Sequence, residues 1–570
     1  MKIKILLSAL CLLCEMQSVA YGQRSDDNCQ FSIVNSQLYN VPPRREIRHK
    51  IKTINHKPST INHQPSIPTR ISGEYVMSDF PTTGEARGVV ILAAFADVPF
   101  SVSADSIHEL LSHRYNADDY SEEVNFKEYS AVFGRELPLQ ATIPGSARDY
   151  FRTQSMGHFV PSFDVIGPVT LDNPRAYYGA NNENGDDTNT SAMIREACEK
   201  AYNQGLTDFT DYDNDGDGAV DFVYVVYAGS DEAQTGIEEC VWAKSATVSL
   251  TLGNMRIRRY ACSSELVIDL PVVAGIGTFV HEFGHILGLP DFYNTRADDF
   301  TMDMWSVMDY GMYNAEGFVP CAYTAFERYS LGWLPMHTLD APATISLGTT
   351  EEEGTGYRIF TSELDPDGLI TEADTASYYL IETIRQEGWN RYAPASGLLI
   401  SEVTYLKSAW RGNTVNVDSR HRHCIVPANN SYNYKTANKH LFGTANHEFT
   451  LTTTPASITQ FGAAMDKPLT DIHYDKATGR TTFHFRGGTG ISHSPLPTPH
   501  SSTTFRDVPP RSRSVDSISW KGRNTWPTEP VCNTQSYTAG VPVTARKCTP
   551  IPYMAKVHKS VGNGAVKREQ

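Results

Sequence analysis

His281-Glu282-Phe283-Gly284-His285-Ile286-Leu287-Gly288-Leu289-Pro290-Asp291 decides how this chain is read. A spacing of four places His281 and His285 one helical turn apart on a single face, aimed at one point. Glu282 stands beside the first imidazole, and two histidines with such a carboxylate are the minimal parts of a zinc hydrolase. Gly288 follows three residues after His285, where a left-handed residue can end the helix. Asp291 returns after that turn as a candidate third ligand, or else caps the turn; Asp298, Asp299 and Asp303 are the alternative ligands. A surface helix with ordinary polar residues is the competing reading. Against it stand Phe279, Val280, Phe283, Ile286 and Leu287, which would bury the helix and leave its histidines and glutamate in need of partners. Three protein ligands leave a fourth position for water, whose pKa the metal lowers, with Glu282 placed as general base.

Downstream lies Ser306-Val307-Met308-Asp309-Tyr310, and further stretches carry a pattern: Arg87 to Val98, Gly145 to Gly157, Asp211 to Gly229, Ala325 to Leu334 and Tyr378 to Ile400. Together with the zinc motif H-E-x-x-H-x-x-G-x-x-D, these resemble the immune inhibitor A family of secreted metallopeptidases over roughly residues 85 to 487. The resemblance implies an α+β fold, with a metzincin-like zinc peptidase catalytic domain at 85–335 and protein or peptide substrates cleaved internally. It also implies that Met308 forms a floor under the metal. Tyr310 then either donates a hydrogen bond to the developing oxyanion or packs as a buried tyrosine beneath the site.

From about residue 336 short strands alternate with Gly, Pro and Asn turns: Tyr357–Ile359, Tyr378–Ile384, Leu398–Val403 and Thr481–Phe485. That pattern predicts a β-rich, β-sandwich-like domain over 336–487. Earlier, a strand is expected at Val89–Ala96 and a helix at Ser191–Asn203, where Ile194, Cys198 and Ala201 keep apolar helical spacing.

The N-terminus reads as an export signal over residues 1–22: Lys2 and Lys4 precede an apolar run, and Ala20-Tyr21-Gly22 offers a cleavage site. No later stretch has transmembrane length, so the expected location is secreted, cell-surface or periplasmic, without a transmembrane anchor. Residues 23–84 are basic, weakly periodic, and repeat INHKPS as INHQPS; they read as a propeptide or a plain linker. Cys29 could cap the zinc from that segment. Residues 488–570 open as a Ser/Thr/Pro linker and end in a basic tail to which the sequence assigns no role.

A net charge of −16 argues against nucleic acid or an anionic membrane as the principal partner. It fixes no oligomeric state. Ten cysteines, two of them in the leader, are too sparse and irregular for a disulfide scaffold; Cys240–Cys262 and Cys532–Cys548 are the first pairs to test.

A second metal pattern is Asp213-x-Asp215-x-Asp217-Gly218-x-x-Asp221, whose alternating carboxylates around a glycine turn follow the grammar of calcium loops. Asp213, Asp215, Asp217 and Asp221 would offer side-chain oxygens and Ala219 its carbonyl; the bland alternative is a solvated acidic loop. Tyr224 at the twelfth position excludes a full EF-hand. His421 and His423 beside Cys424 form a weaker candidate for a second zinc site. The expectation is therefore an exported zinc endopeptidase made as a zymogen, and its rival is a non-catalytic adhesion or binding protein on the same scaffold.

Overall fold

The computed structural model describes residues 39–40, 80–112, 123–125, 140–142, 144–267, 273–361 and 375–488. The export signal, most of the prosegment, the C-terminal tail, Cys29 and the Cys532–Cys548 pair lie outside the described residues. Among the described residues no helix is long and apolar enough to cross a membrane.

Strands of the first half are β1 (Tyr39–Asn40), β2 (Arg87–Ala94), β3 (Glu123–Asn125), β4 (Gln140–Thr142), β5 (Ser162–Thr170), β6 (Ala219–Val220), β7 (Val223–Tyr227), β8 (Lys244–Leu252) and β9 (Met255–Ser264). The main helices are α1 (Ala104–Ser112), α2 (Ala147–Gln154), α3 (Thr190–Asn203), α4 (Gly277–Ile286) and α5 (Ala325–Ser330). One sheet runs in the order β1-β8-β9-β7-β2-β5, with β6 pairing to β9. β2 is parallel to both β5 and β7, and β7 is parallel to β9. β8 returns antiparallel to β9, and β1 adds antiparallel to β8.

Strand β2 explains the layering. After the exposed Arg87 its run is apolar because both faces are covered, as a central parallel strand requires. Val89, Ile91 and Ala93 face a core with Met193, Ile194 and Ala197 of α3. Val90 and Leu92 face the opposite core, with Phe279, Val280 and Phe283 of α4. The period of two in the strand thus sends alternate side chains to two helices.

The second half has β10 (Met336–Thr338), β11 (Ala343–Leu347), β12 (Gly356–Phe360), β13 (Thr375–Ile384), β14 (Gly397–Leu406), β15 (His423–Ile425), β16 (Leu469–Asp475) and β17 (Arg480–Phe485). They form a five-stranded sheet, β10-β12-β13-β14-β15, and a three-stranded sheet, β11-β17-β16. Tyr379, Ile381, Leu398 and Ile400 of the larger sheet share a core with Ile472, Phe483 and Phe485 of the smaller. The alternate residues Tyr378, Leu380, Leu399 and Val403 join the core of the first half instead. The five-stranded sheet therefore packs on both faces, once against its partner sheet and once against the elements around α4. The hydrophobic core crosses residue 336 without a break.

One expectation is corrected. Cys262 sits mid-strand in β9 opposite Val225 and is an unbridged thiol buried among apolar side chains, so no disulfide joins it to Cys240. Burial pushes this thiol above the ordinary range, as befits a cysteine packed like a small apolar residue.

Candidate active site

Helix α4 is placed by its aromatic face. Phe283 lies 5.3 Å from Phe80, 4.9 Å from Phe151, 5.4 Å from Phe163 and 4.9 Å from Phe222, ring centre to ring centre. That packing turns the other face, with His281 and His285, towards the segment from Leu289 to Met308. Gly288 has φ of +100° and reverses the chain there, a conformation that any β-carbon would strain.

Each imidazole is oriented by a backbone carbonyl. His281 Nδ1 lies 2.8 Å from the Val307 carbonyl and His285 Nδ1 2.8 Å from that of Leu289. A carbonyl only accepts, so both Nδ1 atoms carry the hydrogen and both Nε2 atoms present lone pairs. Those two Nε2 atoms are 3.2 Å apart. Asp291 Oδ1 lies 3.4 Å from the first and 3.2 Å from the second. All three side chains are buried.

Three electron-rich atoms facing one another in a dry site repel unless a cation lies between them. Ligand bonds of about 2.0–2.1 Å in a tetrahedron separate ligand atoms by roughly 3.3–3.4 Å. The observed triangle has that size, so the donor set fits zinc. Protonation points the same way. Burial holds His285 below its ordinary pKa and so neutral. Burial also pushes the Asp291 carboxyl up, but the two imidazoles outweigh it and bring it down to about 2. A neutral His285 beside an ionised Asp291 is in the form a divalent metal requires of its ligands. The triangle consists of His281, His285 and Asp291. The alternatives Asp298, Asp299 and Asp303 do not join it.

Glu282 is fully buried, and neither of its carboxylate oxygens has a hydrogen-bond donor among the described residues. Burial, then Asp291 and Asp231, raise its pKa well above the ordinary value, while Lys244 opposes them. It is a carboxylate poised to hold a proton. Met308 lies under the helix: a β-carbon on Gly284 would come within 2.7 Å of its sulfur, so any larger residue there would have to displace Met308. Asp309 Oδ2 accepts from Thr301 Oγ1 at 2.6 Å and from the Asp303 amide at 2.7 Å. Its Oδ1 accepts from the Tyr310 amide at 2.7 Å, which fixes the turn. Tyr310 is buried, its ring 6.4 Å from that of Tyr313.

The acidic loop behaves differently. Asp213, Asp215 and Asp217 offer oxygens within 4.8 Å of one another, but largely in solvent. Asp213 Oδ1 accepts from the amides of Gly216 and Asp217 at 2.8 and 3.0 Å, and its Oδ2 from Gly218 at 3.0 Å. Asp221 turns away, its Oδ2 accepting from the Asn214 amide at 2.7 Å and side chain at 2.9 Å. Ala219 forms part of β6, its amide 2.8 Å from Asp217 Oδ1. At the other candidate, His423 is buried with Nδ1 on the Glu402 carbonyl at 3.1 Å, and His421 pairs with Asp299 at 3.4 Å. His421, His423 and Cys424 do not bring three ligand atoms within 4.8 Å of one another among the described residues.

A buried helix presenting two imidazoles, with a carboxylate brought back by a glycine turn, defines a metallopeptidase type of domain. Residues 80–334 match the family described as immune inhibitor A peptidase M6, catalytic domain. The chain is 25% identical over 275 residues to the pre-pro-metalloprotease PrtV of Vibrio cholerae, covering 43% of this chain and 29% of that protein. It is 27% identical over 242 residues to immune inhibitor A of Bacillus thuringiensis subsp. alesti, covering 36% and 35% respectively. The chain thus spans about a third of the length of these curated relatives.

Sequence reasoning missed the residues that brace Asp291 from behind. Its amide and its second carboxylate oxygen are both held by Asn413, 122 residues away in the second half. No spacing rule reaches that far.

Proposed function

We propose that this chain is an exported zinc-dependent endopeptidase that hydrolyses internal peptide bonds of proteins. The carrying observation is the triangle of two imidazole nitrogens and one carboxylate oxygen at 3.2–3.4 Å, beside a buried glutamate without a donor. His281, His285 and Asp291 would hold the metal. When bound, zinc supplies a Lewis acid that acidifies water and polarises a carbonyl. Glu282, with its raised pKa, takes the proton of the attacking water and delivers it to the leaving amine. The burial of the triad excludes bulk water and keeps the charge of Asp291 unscreened. Tyr310 donates its hydroxyl to the oxyanion of the tetrahedral state, and Met308 fixes the floor under His281 and His285.

The segment from residue 23 to about residue 79 acts as a prosegment in this reading. Its support is strand β1, which pairs with the edge strand β8 at Lys244 and Ser245. We also assign calcium to the Asp213–Asp217 loop, on the gathering of its three carboxylates. The protein is released or held at the cell surface after export.

The test is casein hydrolysis by the processed wild type beside Glu282→Ala, with zinc content measured in both. Activity in the wild type alone, with zinc retained in the variant, supports the assignment. A processed, zinc-loaded wild type that is inert on casein and on a broad peptide library removes it.

A further inference from the structure

Asp291 stands outside the helix that fixes the two histidines, so something else must set its carboxylate. Its Oδ1 faces the two Nε2 atoms at 3.4 and 3.2 Å. Its Oδ2 accepts from Asn413 Nδ2 at 2.7 Å, and its backbone amide donates to Asn413 Oδ1 at 2.7 Å. The orientation of that carboxamide is unambiguous, because an amide only donates and an ionised carboxylate only accepts. One side chain thus grips the backbone and the carboxylate of the same residue, closing a ring of two hydrogen bonds. The grip fixes the rotamer of Asp291 and commits it to offering one oxygen.

Asn413 is itself held for this purpose. It follows the short helix Lys407–Arg411, is buried, and adopts φ of +51°, a left-handed conformation that asparagine tolerates better than most residues. Three residues on, Asn416 donates to the carbonyls of Phe292 and His423, both at 2.6 Å, and accepts from the amides of Arg422 and His423. The ring of His423 packs edge-on against Phe292 at 4.6 Å. Asn413-x-x-Asn416 therefore clamps Asp291 and Phe292 onto the five-stranded sheet, outside the 80–334 segment that matches the peptidase family.

We propose that Asn413 is the positioning residue for the third zinc ligand, and that the catalytic segment is metal-competent only with the second half docked on it. This rests on the zinc reading above. Removing a group that orients a ligand typically costs 10–100-fold in metal affinity.

The experiment compares full-length Asn413→Gly, Asn413→Asp and Asp291→Ala with the wild type. Zinc affinity is read by competition with a chromophoric chelator, and melting is read in excess EDTA. Glycine keeps the left-handed backbone without strain; aspartate keeps the shape but sets an oxygen against Asp291 Oδ2. We expect both Asn413 variants to bind zinc 10–100-fold more weakly while melting in EDTA like the wild type. A merely structural asparagine would move the melting and spare the affinity. Wild-type affinity in either folded Asn413 variant, with zinc lost in Asp291→Ala, overturns the positioning role alone. A wild type that takes up no zinc, or Asp291→Ala that binds it normally, brings down the metal reading and this proposal with it.

Discussion

Two loops in this chain carry ligand-like carboxylates, and they meet opposite conditions. At Asp291 the carboxylate is buried and faces two imidazole lone pairs, with no solvent to screen them. At Asp213–Asp217 the carboxylates are largely in solvent, and backbone amides already satisfy Asp213. Arg258 adds a cation 3.6 Å from Asp217, and the Arg256 guanidinium holds the Asp217 carbonyl at 2.7 Å. Both patterns are equally plain in the sequence. Burial separates them: an unpaired cluster costs little in water and several kcal/mol away from it. The first site demands a cation, whereas the second can stand without one.

The largest test of that contrast is metal removal at the buried triangle. His281→Ala deletes one corner, and the expected result is loss of zinc and of essentially all peptidase activity. With calcium held in excess, zinc removal by chelator should lower the melting temperature of the wild type and leave that of the variant unmoved. Equal sensitivity to EDTA in the two proteins would break the argument from burial.

The aromatic cradle comes next, because it aims the helix. Phe283 is fully buried between four other rings. Phe283→Ala should cost about 3–5 kcal/mol in chemical denaturation, with zinc affinity falling only through the unfolded fraction. A loss under about 1 kcal/mol would mean that the cradle repacks freely.

A third test sets Asp291 against a buried carboxylate whose pKa is governed by burial. Glu402 is buried, accepts from the Gln460 amide at 3.0 Å, and is pushed by burial up to about 8. Its folded pKa lies above its unfolded one, so the folded state binds the extra proton. Stability from this group is therefore full below pH about 4.5 and declines as pH rises towards 8. Glu402→Gln should remove that decline and stabilise the protein at pH 8 by on the order of 2 kcal/mol. Parallel stability–pH curves for the variant and the wild type would contradict it. Asp291, equally buried, is held down to about 2 by its contacts with His281 and His285, and the two carboxylates together show what close side-chain partners change.

Legibility followed distance along the chain. The spacing of His281 and His285, the glycine at 288 and the alternation in β2 are local, and each is set by a helical or strand period. The four downstream strands were visible for the same reason, each lengthened by one to three residues at its ends through pairing. The sheet they form packs one face on its partner sheet and the other on the core around α4, as a β-rich module behind the catalytic unit would. Cys240 and Cys262 have a plausible spacing, yet Cys262 is fixed mid-strand beside Val225, where neighbours in space differ from neighbours in sequence. Asn413 is the extreme case. Its left-handed conformation is one that asparagine tolerates. Its second task, holding Asp291, exists only once the second half has docked.

The smallest effect is expected at the acidic loop, and it bears most directly on the comparison. If calcium binds there, 1 mM Ca2+ at roughly ten times the dissociation constant should add about 1.4 kcal/mol to stability. Asp213→Asn should abolish that increment, since Asp213 supplies an oxygen to the cluster while organising three amides of the loop. Asp221→Asn should leave it largely intact, because that carboxylate is already engaged with Asn214. Melting of the zinc-loaded protein with and without calcium separates the outcomes. An increment lost in both variants would return Asp221 to the ligand set. No increment in the wild type would mean that the amides and the arginines already balance these carboxylates. Exposure would then be sufficient reason for a metal-like motif to hold no metal.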